Sequence, residues 1–307
     1  MINFKEKKIL ITGATGLVGS YLKRIITDAA CVSTKDYNLL VQNSVKQMFK
    51  DIRPNIVIHL AARVGGVHHN ILEPVKYFEE NILMNTFIIS EAYKNNVESF
   101  IGILSSCIYP NQINEYPINE KKLFEGAPHQ DLFSYAYAKR CMAIQIEAYN
   151  SKHNTNYNYL VPCNLYGEFD KFGEIEGHFV GALVQKICNA KKNNQKFITL
   201  FGDGSPFRQF MHAKDLAKII KLMIINKTKK SFNVATDENY TVKQISEIAL
   251  EACDAKDLQI NFDTSKPNGQ YRKDIDIKIM KSLFPDFKPI KLHEGIRQVY
   301  KNIMDAK

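Results

Sequence analysis

A glycine-rich turn that directly follows a short apolar run constrains this chain more than any other feature. Residues 8–12 are apolar and rich in β-forming side chains, and residues 12–19 follow with three glycines spaced three apart. In a strand–turn–helix unit, Gly13 permits the tight turn, Gly16 lets the backbone approach a pyrophosphate, and Gly19 allows close helix–sheet packing. Glycines also mark ordinary turns, but the strand before and the helix after favour a dinucleotide site.

Apolar runs alternate with helical patterns through the first half of the chain. Residues 55–60, 99–105 and 157–162 are continuous apolar runs, and helical patterns over about 74–95 and 133–151 separate them. Strands that are apolar on both faces and alternate with helices form parallel sheets covered on two sides. The predicted fold class is therefore α/β, with a doubly wound parallel (Rossmann) sheet.

The rhythm changes after about residue 165, where a polar, irregular segment covers residues 167–177. Helices are expected near 178–191, 214–227, 241–254 and 292–304, and strands near 197–201 and 231–235. This pattern predicts a smaller α/β substrate-binding domain. We expect residues 1–165 to form the nucleotide-binding domain, with a returning segment at about 205–235, and residues 166–204 and 236–307 to form the second domain.

Composition narrows the function classes. Lysine and arginine number 41 against 32 acidic residues, a net charge of +9 that suits an anionic partner. No apolar run reaches the ~18 residues of a membrane span, and residues 1–8 do not resemble a secretory signal. The six cysteines form no C-x-x-C pair, and no nucleic-acid-binding motif is present. We therefore expect a cytoplasmic protein with reduced thiols and without a metal, membrane or nucleic-acid partner.

The choice between NAD and NADP depends on two neighbouring residues. Asp36 stands where a carboxylate could bind an NAD ribose, and Lys35 beside it could pair with the 2′-phosphate of NADP. Both could also be solvated loop charges. The sequence favours Lys35 and NADP.

Tyr135 and Lys139 are four residues apart, which places both side chains on one face of a helix. A phenol with a pKa near ~10 is a poor acid–base group at neutral pH, and a neighbouring ammonium is expected to lower that pKa. Ser105 ends a predicted strand, at the edge where doubly wound sheets gather their ligands. Its hydroxyl could orient a carbonyl oxygen, so the three residues predict acid–base chemistry beside a dinucleotide.

These motifs resemble the extended short-chain dehydrogenases/reductases, and among them the GDP-L-fucose synthase group of GDP-4-keto-6-deoxy-mannose epimerase/reductases. The resemblance spans nearly the whole chain. The segments that carry it are residues 13–19, 59–66, 104–110, 135–139 and 164–167, His178, and residues 208–210. The Val-Gly-Gly and Ser-Ser-Cys-Ile-Tyr-Pro segments are more specific to the group than the glycine turn.

The resemblance implies a catalytic set. Tyr135 would protonate the sugar O4, Lys139 would lower its pKa and bind the nicotinamide ribose, and Ser105 would hydrogen-bond the keto oxygen. Cys107 and His178 match the pair implicated in epimerisation at the two carbons that flank the keto group. Both residues could be present in a reductase that leaves those carbons unchanged.

The resemblance also implies two sets of binding residues. The residues expected to bind NADP(H) are Gly13, Thr15, Gly16, Leu17, Val18, Gly19, Lys35, Leu60, Ala61, Ala62, Lys139, Pro162, Asn164, Leu165 and His178. The residues expected to bind the sugar nucleotide are Val64, Gly65, Gly66, Ser106, Asn164, Lys186, Phe201, Arg208 and Asn268. Lys186, Phe201 and Asn268 depart from the residues common in the group, which puts the specific sugar in doubt.

The implied function is an NADPH-dependent 4-reductase of a GDP-4-keto-6-deoxy hexose or heptose, possibly with 3,5-epimerase activity. One alternative is a nucleotide-sugar 4-epimerase or 4,6-dehydratase that retains NAD. A second alternative is a catalytically silent module that binds NADP(H) or RNA. The helices near 74–95 and 133–151 correspond to those that build a dimer interface in relatives, so a homodimer is expected.

Overall fold

The computed structural model describes residues 7–172, 178–266 and 268–305. The strands are β1 (Ile9–Thr12), β2 (Ala30–Val32), β3 (Ile56–His59), β4 (Ser99–Ile103), β5 (Tyr157–Pro162), β6 (Asn164–Tyr166), β7 (Phe197–Phe201), β8 (Phe207–His212), β9 (Phe232–Val234), β10 (Asn239–Thr241) and β11 (Gln259–Asp263). The helices are α1 (Leu17–Ile25), α2 (Gln42–Ile52), α3 (Val67–Leu72), α4 (Pro74–Lys94), α5 (Phe133–His153), α6 (Phe179–Lys192), α7 (Ala213–Ile225), α8 (Val242–Ala252), α9 (Lys278–Leu283) and α10 (Leu292–Asp305).

A six-stranded parallel sheet forms the centre of the fold, in the order β2-β1-β3-β4-β5-β9. Every residue of β1 and β3 is buried, because helices cover both faces of the sheet. α4 packs on α2 and α5, and α1 packs on α7. The predicted α/β class with a doubly wound parallel sheet is confirmed.

The strand order reverses at β1, whose neighbours β2 and β3 lie on its two sides. In an open parallel sheet, ligands bind beyond the carboxyl ends of the strands at such a point. The sequence pattern missed β2, because this strand has only three residues and the side chain of Cys31 at its centre is exposed.

A second apolar core lies among α6, α8 and α10 and two small sheets. One sheet has the order β10-β8-β6, and the other pairs β7 with β11. The segment expected to return to the large sheet is divided: β8 lies in the three-stranded sheet, whereas α7 packs on α1 and β9 pairs with β5. The domain boundaries given above stay a prediction, and residues 173–177 of the irregular segment lie outside the described residues.

Within the described ranges, no helix combines the length and the apolar character that crossing a membrane requires.

Candidate active site

The glycine turn lies at the carboxyl end of β1 and is shaped by close backbone contacts. Gly13 has φ +69°, and a Cβ at this position would lie 2.7 Å from the backbone nitrogen of Ala61. A Cβ on Gly19 would overlap the carbonyl oxygen of Gly13. The turn therefore needs Gly13 for its conformation and Gly19 for its packing, as the sequence pattern predicts.

The N-terminus of α1 is suited to a pyrophosphate. Gly16 caps this helix with no side-chain hydrogen bond, so its first N–H groups have no competing side-chain acceptor. Gly16 and Thr15 are exposed. The half-buried loop after β3 faces the turn, because the Leu60 amide donates to the carbonyl oxygen of Thr12 at 3.2 Å. The residues present fit a dinucleotide.

In the loop after β2, the two charged residues that bear on cofactor choice have different surroundings. The Asp36 carboxylate accepts from the amide and the hydroxyl of Ser33, both at 2.8 Å, and these bonds hold its pKa below the ordinary value. Lys35 is exposed next to it. The carboxylate is thus engaged in its own turn, whereas the ammonium extends from the loop.

Ser105, Tyr135 and Lys139 come together beyond β4, the third predicted strand. Ser105 follows the end of β4 and caps a short 3₁₀ turn, with its hydroxyl 3.5 Å from the amide nitrogen of Cys107. Lys139 is 2% exposed, its ammonium donates to the carbonyl oxygen of Ile103 at 2.8 Å, and it lies 5.8 Å from the centroid of the Tyr135 ring. The i, i+4 pair on α5 therefore faces the end of β4.

Burial decides the pKa values of this pair. It lowers the pKa of Lys139 to about 8, against the opposing effect of Cys107. It raises the pKa of Tyr135, and Cys107 and Tyr77 raise it further. The expectation that Lys139 lowers the pKa of Tyr135 is wrong for this structure, because the ammonium is bonded to Ile103 and desolvation of the phenol dominates.

Cys107 is half-buried between cations. Burial raises the pKa of its thiol, whereas the Ser105 hydroxyl and the ammonium groups of Lys273 and Lys139 lower it. Lys273 has its own pKa lowered to about 8 by burial and by Arg208. Among the described residues, Lys273 has no hydrogen-bond or ion-pair partner. This side of the site therefore gathers positive charge around one thiol.

His178 stands at the start of α6 and is oriented by a buried carboxylate. Its Nδ1 lies 2.9 Å from Oδ1 of Asp170. The pair raises the pKa of His178, because the carboxylate favours the imidazolium form. No hydrogen bond or ion pair joins His178 to Cys107 within the described ranges, and the two candidates for epimerisation lie on separate elements.

Four residues expected to bind substrate meet at one edge of the second core. The Lys186 ammonium lies 5.9 Å from the ring centroid of Phe201, which is 66% exposed at the end of β7. Arg208 donates to the carbonyl oxygen of Asn268 at 3.4 Å, and the Asn268 side chain accepts from the amide of Asp203 at 2.8 Å. The short loop after β7 thus connects both pairs.

The other residues predicted to bind a ligand differ in how exposed they are. Val64 is exposed and Gly65 and Gly66 are half-buried after β3, whereas Ser106 is only 4% exposed. The Asn164 amide donates to the carbonyl oxygen of Gln209 at 2.8 Å, which leaves its side-chain oxygen for a ligand. The other predicted cofactor residues divide by burial: Pro162 is buried, and Ala62, Leu17, Val18 and Leu165 are half-buried.

Comparison with known proteins places this geometry in a family. The model of the NAD dependent epimerase/dehydratase family matches residues 9–235. The chain belongs to this family. The GDP-L-fucose synthase of Dictyostelium discoideum is 33% identical over 303 residues, which cover 95% of this chain and 94% of that protein. The GDP-L-colitose synthase of Yersinia pseudotuberculosis is 33% identical over 307 residues, which cover 98% and 99%.

A solved structure of the same family extends the similarity to three dimensions. The crystal structure of a GDP-L-fucose synthetase from Naegleria fowleri bound to NADP superimposes with a TM-score of 0.88 at 30% sequence identity. The superposition covers 98% of this chain and 94% of that chain. The similarity to this family member spans both apolar cores.

Sequence reasoning missed three residues that the fold brings to the site. Lys273 stands in a charged run that gives no sign of burial, and Asp170 lies in a polar segment. Tyr77 had a usable signal, because Tyr77, Asn81 and Asn85 recur at i, i+4 and i+8 and so lie on one face of a helix. All three residues are buried.

Proposed function

We propose that this chain is an NADPH-dependent reductase of the C4 keto group of a GDP-4-keto-6-deoxy sugar. The observation that carries the proposal is that Ser105, Tyr135 and Lys139 meet at the carboxyl edge of the same sheet whose switch point holds the glycine turn. The similarity to a GDP-L-fucose synthase and to an NADP-bound structure supports the same activity and cofactor.

NADP(H) is held by the glycine turn, the N-terminus of α1 and Lys35. When bound, it supplies the hydride that reduces the C4 carbon. The Lys139 ammonium reaches the nicotinamide ribose from α5, and its single bond to the Ile103 carbonyl leaves two N–H groups to donate.

The chain itself supplies the proton. The Ser105 hydroxyl donates to the keto oxygen and polarises the carbonyl. The Tyr135 hydroxyl transfers its proton to O4 as negative charge develops there, which converts the ketone to an alcohol. The raised pKa of Tyr135 keeps this phenol protonated, so that the proton is in place at neutral pH.

The proposal also includes epimerisation at C3 and C5. The 4-keto group acidifies the protons on both carbons, and inversion needs one group to remove a proton and another to return one to the opposite face. The Cys107 thiol is the candidate for proton removal: burial raises its pKa, and the Ser105 hydroxyl, Lys273 and Lys139 oppose that rise. His178, whose pKa is raised by Asp170, is the candidate that returns a proton to the opposite face.

Arg208 and Lys186 are placed to hold the diphosphate. Arg208 is half-buried, desolvation lowers its pKa, and no ion pair to a carboxylate is present within the described residues. A planar guanidinium binds a phosphate through two N–H groups, whereas Lys186 supplies a point charge. Phe201 presents an exposed ring beside Lys186 for the base. The proposal covers a hexose and a heptose that is one carbon longer.

The test is turnover of purified protein with NADPH and either GDP-4-keto-6-deoxy-mannose or the corresponding heptose. We expect substrate-dependent loss of nicotinamide absorbance, and no loss with either sugar would overturn the reductase. The same reaction in deuterated water checks epimerisation, since a product without deuterium at C3 and C5 would remove that part alone. Release of tightly held NAD on denaturation would favour the 4-epimerase or 4,6-dehydratase alternative.

Charge reversal at Lys35 is expected to change the cofactor preference. A carboxylate at this position repels the 2′-phosphate, so Lys35→Glu should raise the KM for NADPH roughly tenfold or more and leave that for NADH nearly unchanged. The matched control is Lys50→Glu, which reverses the charge of an exposed lysine on α2. An unchanged NADPH KM in Lys35→Glu would show that this lysine does not bind the phosphate.

The pKa of Lys139 predicts a basic limit to activity. A buried lysine with a pKa of about 8 is charged below that pH and neutral above it. We therefore expect kcat/KM for reduction to fall as pH rises through about 8, because the neutral amine donates a weaker hydrogen bond to the nicotinamide ribose than the ammonium does. The pKa of Lys273 is also about 8, so the profile is repeated with Lys273→Met. The fall in kcat/KM above about pH 8 should persist in that variant. If it disappears, the titrating group is Lys273.

A homodimer is part of the proposal. α4 and α5 pack side by side, and both expose large apolar side chains, among them Phe78 and Ile144. Such a surface suits a second copy of the same chain. Light scattering of the purified protein tests it, and a monomer at working concentration would contradict it.

A further inference from the structure

Tyr77 lies in the first turn of α4, on a buried stripe that holds the loop after β3. The Asn81 side chain accepts from the amide of Arg63 at 3.0 Å and donates to its carbonyl oxygen at 3.1 Å. The Asn85 side chain lies 3.1 Å from Nε2 of His59. This stripe fixes α4 against the loop, and Tyr77 is its member closest to Gly65.

The Tyr77 hydroxyl occupies the space that a side chain at position 65 would fill. A Cβ on Gly65 would overlap this hydroxyl. Tyr77 is only 3% exposed, yet its hydroxyl forms no hydrogen bond with any residue in 7–172, 178–266 or 268–305. In contrast to the hydroxyl of Tyr166, it is not fully enclosed, so it is a donor that a ligand oxygen can reach.

Arg63 lies against the Tyr77 ring, and two carboxylates fix its position. Its guanidinium lies 5.4 Å from the centroid of the Tyr77 ring and is held by Glu73 at 2.6 Å and Glu80 at 3.2 Å. The charge of Arg63 lowers the pKa of Tyr77 against the larger effect of burial. Burial, Glu73 and Glu80 together raise the pKa of Tyr77, so its hydroxyl stays protonated at neutral pH and is available as a donor.

Tyr77 and Tyr135 lie at the same edge of the central sheet. α4 and α5 each follow a strand of the parallel sheet and each lead back to the next strand, so the two helices run side by side in the same direction. Tyr77 is the fourth residue of α4, and Tyr135 is the third residue of α5. Both phenols therefore lie at the carboxyl edge of the sheet, and Tyr77 contributes to the raised pKa of Tyr135.

We propose that Tyr77 is a specificity-determining residue whose hydroxyl donates a hydrogen bond to the C3 oxygen of the sugar. This inference rests on the proposed function, in which Tyr135 delivers a proton to O4. In a 4-keto-6-deoxy sugar, C4 has two neighbours: C3 carries a hydroxyl, and C5 carries the ring oxygen and an alkyl group. The C3 hydroxyl is thus the polar group adjacent to the reacting carbonyl, and Tyr77 supplies a donor at the same edge of the sheet as the reacting phenol.

The test compares two substrates that differ only at C3. Wild type and Tyr77→Phe are assayed with NADPH and either GDP-4-keto-6-deoxy-mannose or its 3-deoxy analogue. We expect the variant to lose roughly 3- to 10-fold in kcat/KM with the 3-hydroxy sugar, mainly through KM, and to stay within about twofold of wild type with the analogue. Tyr93→Phe, on the same helix at its opposite end, is the matched control and should match wild type with both sugars.

The outcomes separate this inference from the function on which it rests. A wild type that reduces neither sugar overturns the proposed function and the inference together. An active wild type with a Tyr77→Phe variant that is unimpaired, or that is slowed equally on both sugars, overturns the inference alone. An unchanged melting temperature of Tyr77→Phe, which retains the ring, excludes a folding defect as the cause of a selective loss.

Discussion

Replacing Tyr135 by phenylalanine is expected to lower the rate of keto-sugar reduction by about 10²- to 10⁴-fold. The substitution removes one hydroxyl and keeps the ring, so that the packing of α5 on the end of β4 is preserved. The proton that must reach O4 then has to come from water. Stopped-flow measurement of nicotinamide absorbance under single-turnover conditions checks the chemical step directly.

Binding measurements show whether that loss is chemical. Tyr135→Phe should bind NADPH as wild type does, because Lys139 and the glycine turn are unchanged. Tyr137→Phe is the matched control, since Tyr137 lies on the same helix, is 39% exposed and contacts Arg140 through its ring. A Tyr135→Phe variant with more than about a tenth of wild-type activity would show that another group donates the proton.

Gly13→Ala is expected to abolish NADPH binding and to destabilise the fold. The added Cβ would lie 2.7 and 2.8 Å from the backbone nitrogen and Cα of Ala61, where no flexible side chain can yield. The positive φ of Gly13 adds strain of about 1–3 kcal/mol. Both effects act at the point where the turn after β1 meets the loop after β3. Thermal unfolding and NADPH titration by fluorescence measure them separately.

Gly16→Ala distinguishes the shape of the turn from its contact with a ligand. Its backbone φ of −78° suits alanine, and the new Cβ would meet only the carbonyl oxygen of Gly13, at 3.3 Å. We expect a melting temperature within a few degrees of wild type together with weaker NADPH binding. Equal loss of stability in both variants would contradict the distinct roles given to the two glycines.

Much of the fold could be predicted because its signals are local. The buried strands β1, β3, β4 and β5 are continuous apolar runs, and α4 and α5 are long periodic segments whose bounds fall within two residues of those expected. β2 was missed because three residues with an exposed centre give too little pattern. The pairing of β8 with β6 and β10 was not predicted either, since a strand's sequence does not state which strand it will pair with.

The candidate site also has some features that the sequence predicts and others that it does not. Ser105 at a strand end and the Tyr135–Lys139 spacing are visible in the sequence, whereas the direction of the Lys139 ammonium is not. That ammonium bonds to the Ile103 carbonyl, 36 residues away in the chain. The pKa of Tyr135 therefore follows from burial, which depends on what the rest of the chain packs around it.

The sequence by itself determined the alternation of strands and helices, the glycine turn and the spacing of the acid–base pair. These features depend on backbone conformation and side-chain period over a few residues. Only the tertiary structure decided that the Tyr77 hydroxyl fills the space above Gly65, that Lys273 lies near Cys107, and that Asp36 is engaged by Ser33 while Lys35 stays exposed. Such contacts are set by which buried faces pack together, and that choice minimises the exposed apolar surface of the whole chain.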